Sequence, residues 1–236
     1  MRFLAAGVVV LITSVMLPQQ QVPHTLAGAE QSGQHLGFDR NVYPGDAALP
    51  ALHKHFAFAG YWLNNPPGET ANTWQGKRET ILRAGFGFLV LFNGRLDADI
   101  LRAKRRKIPS EILGKQDAAV AITAAQREHF PPHTILFLDQ EEGGRLLPEQ
   151  SAYLLAWTEA IAASPYLPGV YLSGQAVDDG PGKTITTAQD VRQQIAAKHL
   201  HPVALFVYQD ACPPSNGCTL NPPPITAVGT SDITAW

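Results

Sequence analysis

Short apolar runs, several of them closed by an acid or an amide, alternate along the chain with longer stretches whose apolar residues recur at helical spacing. The runs 35–39, 56–63, 86–93, 134–139, 169–174 and 203–210 read as strands. The continuous apolarity of 56–63 suits a strand covered on both faces, as in a parallel sheet. Between them, 77–84, 117–130, 149–163 and 187–199 read as helices. The first ends at Gly85, a C′ residue by type. The second opens with Asp117 in its first turn and stops at Pro131-Pro132. The third follows Pro148 and sets Leu154, Trp157 and Ile161 on one stripe, and the fourth takes Thr187 with Asp190 as its N-cap pair. A last strand candidate covers 231–236. The alternation predicts βαβ units and an α/β fold class, an irregular TIM-like barrel in one domain whose last strand is incomplete.

Length agrees, since 236 residues fit one α/β barrel. Charged residues make up 16% of the chain against roughly 25% in an average soluble protein, so a sizeable core is expected and extensive disorder is not. With a formal net charge of -2 the overall field is weak, which argues against nucleic acid as a partner. Arg2 is followed by an apolar run from Phe3 to Leu17, too short for a comfortable membrane span and about right for the apolar part of a secretory signal. Residues 1–29 therefore read as a leader, with Ala27-Gly28-Ala29 as the small-x-small pattern, and 30–236 as the barrel. Secretion or residence in the periplasm or cell envelope is expected. Cys212 and Cys218 bracket a Pro-Pro and Asn-Gly loop, and a local disulfide suits an exported chain. No metal or other cofactor is expected, because the histidine pairs at His53/His55 and His199/His201 read as helix-end or loop residues.

The densest local chemistry is Leu138-Asp139-Gln140-Glu141-Glu142-Gly143-Gly144. Alternation along an extended strand sends Asp139 and Glu141 to the same side, so two carboxylates share one mouth. In a barrel the carboxyl ends of the strands form the functional face. Close like charges and partial burial push pKa values apart, which lets a protonated acid stand beside an ionised carboxylate. The alternative is a solvated acidic turn before Gly-Gly. Asp39 also closes an apolar strand, as a third carboxylate at the same end or as a cap on the next turn. Tyr61, Trp62, Asn93, Arg95, Tyr171, Tyr208, Gln209 and Asp210 recur at strand ends, an inventory of aromatic faces and planar hydrogen-bonding groups that fits a carbohydrate cleft. The run Arg102 to Lys107 holds five basic residues in six. It reads as a solvated helix or loop face, or as a contact for an anionic envelope polymer.

Leu36-Gly37-Phe38-Asp39, the stretch Thr134 to Glu141 with its Asp-x-Glu, and Gly169-Val170-Tyr171-Leu172-Ser173 together resemble the exported glycoside-hydrolase-like domains of the domain-of-unknown-function 1906 group. Those are relatives of the family 25 lysozyme-type muramidases. The resemblance implies an irregular α/β barrel with Asp39, Asp139 and Glu141 lining the active site and Glu141 as general acid. Those muramidases carry a further acid after a C-terminal Trp-Gln-Tyr strand, for which only Asp210 or Asp232 is available here. The expected function is hydrolysis of glycosidic bonds in a cell-wall glycan of peptidoglycan type by a monomeric protein. The alternative is a non-catalytic glycan-binding or envelope-associated barrel of the same fold.

Overall fold

The computed structural model describes residues 35–208, 230 and 232–235. The expected leader, Gln209, Asp210 and the Cys212/Cys218 pair lie outside the described residues. In chain order the elements are β1 (Gly37–Phe38), a 3-10 turn (Asp46–Ala48), α1 (Leu49–Leu52), β2 (Phe58–Trp62), α2 (Arg78–Arg83), β3 (Gly87–Asn93) and α3 (Asp97–Arg105). There follow α4 (Ser110–Arg127), β4 (Ile135–Gln140), α5 (Pro148–Ala162), β5 (Leu167–Ser173), β6 (Val177–Asp178), β7 (Thr184–Ile185), α6 (Thr187–Lys198) and β8 (Ala204–Tyr208).

Six strands pair in parallel in the order β1-β2-β3-β4-β5-β8 and curl into a half-barrel, an incomplete TIM-like barrel with its helices outside. β6 and β7 form a separate antiparallel ribbon. The segment expected to start a last strand does run beside β8: Phe206 and Ala235 form a parallel bridge, and the Ala235 N–H donates to the Leu205 carbonyl at 3.1 Å.

Alternation divides each strand's residues between two environments. Leu136, Leu138, Val170, Leu172, Leu205 and Val207 point outward and are fully buried under the helices. Ala204, Phe206 and Tyr208 point to the concave side and are half-exposed. Burial on both faces, the expectation for 56–63, holds for β2, whereas β8 is buried on one face only.

Outside the sheet, α4 lies against α5 with buried Ala118, Ala121, Ala124 and Ala125. Small side chains let the backbones approach, and Gly114 marks the closest point. A Cβ there would overlap the Tyr153 carbonyl oxygen and come within 2.9 Å of the Trp157 nitrogen.

Three local expectations shift. α4 begins at Ser110, directly after Pro109, rather than at Asp117. Proline at the boundary starts the helix, and Asp117 sits mid-helix because its carboxylate is consumed in a buried contact described below. The basic run belongs to a distinct helix, α3, and the turn after it. The cap of α6 is Thr186, one residue earlier than expected, whose hydroxyl accepts from the Gln189 N–H at 3.1 Å while Gln189 Oε1 accepts from the Thr186 N–H at 2.9 Å.

Gly114→Val places two methyls against backbone that has no rotamer to escape into. We expect a stability loss of about 2 kcal/mol or more in denaturant melts, with the far-ultraviolet spectrum retained.

Candidate active site

Register neighbours in a parallel sheet share a face. Asn93 pairs with Asp139 and Asp139 with Tyr171, so these three side chains stand in one row on the concave side. Asp39, two residues beyond Gly37, turns to the same side: a Cβ on Gly60 of β2 would overlap its carboxylate oxygen. The absence of a side chain at Gly60 is what lets Asp39 lie flat on the sheet. Glu141, one alternation past Asp139, continues the row to the rim and is solvent-exposed.

Electrostatics ties the three acids together. Asp139 is 5% exposed, and its Oδ1 has no hydrogen-bond partner among the described residues. Burial, reinforced by the negative charges of Glu141, Asp39 and Glu142, raises its pKa to about 8. Asp39 has an accessible surface, but the protein atoms crowded around its carboxylate dehydrate it. That effect and the charge of Glu141 outweigh hydrogen bonds from the Arg40 backbone and the Trp62 side chain, and its pKa rises to about 6. At neutral pH Asp39 is thus mostly ionised while Asp139 keeps its proton. The Tyr171 phenol, partly dehydrated by the protein around it and facing the charges of Glu141, Asp139 and Asp39, is held well above its ordinary range and stays a neutral donor.

The backbone at Asp39 and Glu141 is held by its surroundings. The indoles of Trp62 and Trp74 donate to the Arg40 carbonyl at 3.3 and 3.2 Å, fixing the chain just past Asp39. The Tyr208 hydroxyl donates to the Glu141 carbonyl at 2.7 Å. Thr187 Oγ1 donates to the Glu142 carbonyl at 3.0 Å. Arg145 grips Asp179 through two bonds of 2.7 and 2.8 Å and reaches Asp190 at 3.0 Å, while Asp190 also accepts from the Leu146 N–H. The loop that carries Glu141 is therefore tied to α6 and to the β6–β7 ribbon.

Of the expected sugar-binding residues, Tyr171 and Tyr208 lie on the concave side with ring centroids 5.4 Å apart and remain half-exposed. Asn93 faces the same way, its Nδ2 donating to the Asn65 carbonyl at 2.9 Å. Trp62 is inward but only 2% exposed, so it braces Asp39 rather than offering a stacking face. Two residues lie elsewhere. Tyr61 alternates to the outer face, where its hydroxyl donates to buried Glu128 at 2.6 Å; the neighbouring position, not the strand-end location, decided its direction. Arg95 turns to the helix layer and binds Asp117 bidentately at 2.6 and 2.7 Å, with the Tyr153 hydroxyl donating to the same carboxylate at 2.9 Å. The sequence reading missed Gly60, Arg145 and Asp190. All three meet their partners across the fold, Gly60 through strand register and the two clamp residues through the docking of loop and helix, so no local pattern marks them.

The acids stand on the concave side of the sheet, Asp39 and Glu141 exposed and Asp139 nearly inaccessible. Two cavities, of about 680 Å³ beside Asn64, Asn72 and Arg127 and about 470 Å³ beside Arg78, Phe130 and His133, lie away from them. Among the described residues no cluster of His, Cys, Asp and Glu has the arrangement of a metal site.

Residues 54–210 match the family model described as the Rv2525c-like, glycoside hydrolase-like domain. That span contains Asp139 and Glu141; Asp39 precedes it. No curated protein matches the chain. The crystal structure of an uncharacterized B. stearothermophilus protein superposes with a TM-score of 0.50 and 17% identity, covering 85% of this chain and 86% of that one. At that identity the likeness is one of fold.

Two outcomes test this electrostatic picture. A carboxylate with a raised folded pKa favours the native state in acid and weakens it as pH climbs from its unfolded value toward the folded one. Asp139→Asn removes that cost, so the variant should be more stable than wild type by about 2 kcal/mol or more at pH 8, with the gap closing toward pH 4 in thermal melts. Gly60→Ala should displace the movable Asp39 side chain at a cost of about 1 kcal/mol or less, and return the Asp39 pKa toward the usual carboxylate range by NMR titration.

Proposed function

The chain belongs to the Rv2525c-like glycoside hydrolase-like family, and from that membership we propose that it hydrolyses glycosidic bonds in a cell-wall glycan of peptidoglycan type after export. The observation that carries the reading is the graded set of carboxylates on one sheet face, with Asp139 protonated to about pH 8 and Asp39 ionised above about pH 6. Glycosidic cleavage needs one carboxyl that holds a proton and one that carries charge. The Asp139/Glu141 pair retains a proton at neutral pH, and Glu141, accessible at the rim, delivers it to the leaving oxygen as the C–O bond breaks. Asp39 faces the positive charge that develops on the sugar ring, while the Tyr171 hydroxyl donates to substituents of the ring. Water then adds its oxygen to the anomeric carbon and returns one proton to Glu141, restoring the starting state. The aromatic pair Tyr171 and Tyr208 supplies faces for the adjoining sugar. The apolar stretch from Phe3 to Leu17 supports delivery to the cell envelope.

A second reading, glycan binding without turnover, is favoured by one observation: the Asp39 and Glu141 side chains are exposed, which leaves water at the carboxylates that would carry the reaction.

Purified cell walls distinguish the two. Wild type should release new reducing ends, and Glu141→Gln should lower the rate by about 100-fold or more with unchanged folding. Equal release by both removes Glu141 from its role, and binding with no reducing ends after long incubation establishes the second reading. The rate should follow a bell in pH, with its acid limb near 6 from Asp39 and its alkaline limb near 8 from Asp139. Asp39→Asn should abolish the acid limb together with most of the activity.

A further inference from the structure

α3 lies at the same end of the sheet as the acids. Its first backbone amide, the Asp97 N–H, donates to the Glu142 carboxylate at 3.3 Å, and Glu142 is the residue after Glu141. Near its other end Lys104 pairs with Glu149 in the first turn of α5, the helix that follows the acid-bearing loop. A helix rises about 1.5 Å per residue, so the last turn of α3 stands about 12 Å from Asp97, a path that begins beside the catalytic carboxylates.

Charge along that path is uneven. Arg102 is paired with Asp99 at 2.8 Å and Lys104 with Glu149, which neutralises two of the five basic residues. Arg105, Arg106 and Lys107 are exposed and have no acidic partner among the described residues. The helix dipole accounts for one or two cations in the last turn, at about 0.3 to 1 kcal/mol each. It does not account for Arg106 and Lys107, which lie past the helical residues. Like charges on adjacent residues repel, so this cluster is maintained against a local cost. Polymer bound only at the mouth would meet the opposite sign, because Asp39 and Glu141 repel anions.

We propose that the substrate is an anionic glycan whose neutral sugar backbone enters the concave mouth while its acidic substituents, carboxylate or phosphodiester, rest on the ridge formed by Arg105, Arg106 and Lys107. The proposal rests on the glycan-hydrolase reading of the mouth and adds the charge class of the substrate. Separation of the two surfaces by the length of α3 keeps the substituents away from the carboxylates while the strand of polymer spans both. Weak, screened contacts of this kind act in sum and fade as the Debye length shortens.

The test compares the full chain with its R105S/R106S/K107S variant, all three positions being exposed and remote from the core. The probes are a neutral chitin-type oligosaccharide, a carboxylate-bearing glycan, a glycan polymer with phosphodiester substituents, and vesicles of anionic phospholipid. Wild type should bind the charged glycans at least about tenfold more tightly than the variant at low salt, and that advantage should vanish near 0.5 M salt. Binding and cleavage of the neutral oligosaccharide should be the same in both proteins. The tighter of the two charged probes identifies the substituent. Equal binding of charged glycans by both proteins, or a loss confined to the lipid vesicles, overturns the proposal. If the neutral oligosaccharide is never cleaved while the charge-dependent difference persists, the hydrolase reading fails and the anionic-glycan surface stands.

Discussion

A parallel strand presents only every second side chain to the concave side of its sheet, and the site depends on that constraint. Gly37, Gly60, Trp62, Asn93, Asp139, Tyr171 and Tyr208 face one way through register and alternation, and Asp39 and Glu141 extend the pattern past the last paired residues. Tyr61 and Gln140 face the other way for the same reason. A slip of one residue in β4 would exchange Asp139 for Leu138 or Gln140, and one at the end of β1 would exchange Asp39 for Phe38 or Arg40. The buried outer rows of Leu136, Leu138, Val170, Leu172, Leu205 and Val207 make such a slip costly, at roughly 1.5 to 3 kcal/mol for each apolar side chain turned out to water.

The hydrophobic outer face thus holds in place an inner face that opposes folding. Asp139 is nearly inaccessible, lacks a partner for one oxygen among the described residues and sits near other acids. Nothing in the packing requires it, since an apolar or amide side chain would fill the same space without the ionisation cost. Destabilised groups of this kind concentrate where chemistry needs shifted protonation, and here one dehydrated sheet face provides two carboxyls with different proton affinities from the same side-chain type.

Paired charges serve a different purpose on the outside. Arg95, Asp117 and Tyr153 join the end of β3 to α4 and α5 through bonds of 2.6 to 2.9 Å. Arg145, Asp179 and Asp190 anchor the loop after β4. Removing one member of such a group strands its partners, which costs more than the group contributes when intact. Their value is positional. They fix the loops at the carboxyl ends of the strands, beside the carboxylates.

Much of this was legible in the chain itself. Apolar runs marked the strands β1 to β5 and β8 and helical spacing marked α2, α4, α5 and α6, while the runs that end in Asp39 and Asp139 put these acids and Glu141 on one side, because two-residue periodicity and the polarity of strand ends are local properties. Helix α4 began earlier than the acid at Asp117 suggested, since that acid answers to Arg95, distant in sequence. Tyr61 and Arg95 could not be assigned from strand-end position, because facing depends on register with neighbouring strands and on which partner a long side chain finds. The protonation of Asp139, the seat that Gly60 makes for Asp39, and the docking of the first turn of α3 against Glu142 were decided by the tertiary structure alone. Burial, like-charge proximity and helix docking are sums over residues far apart in the chain, and no local pattern encodes them.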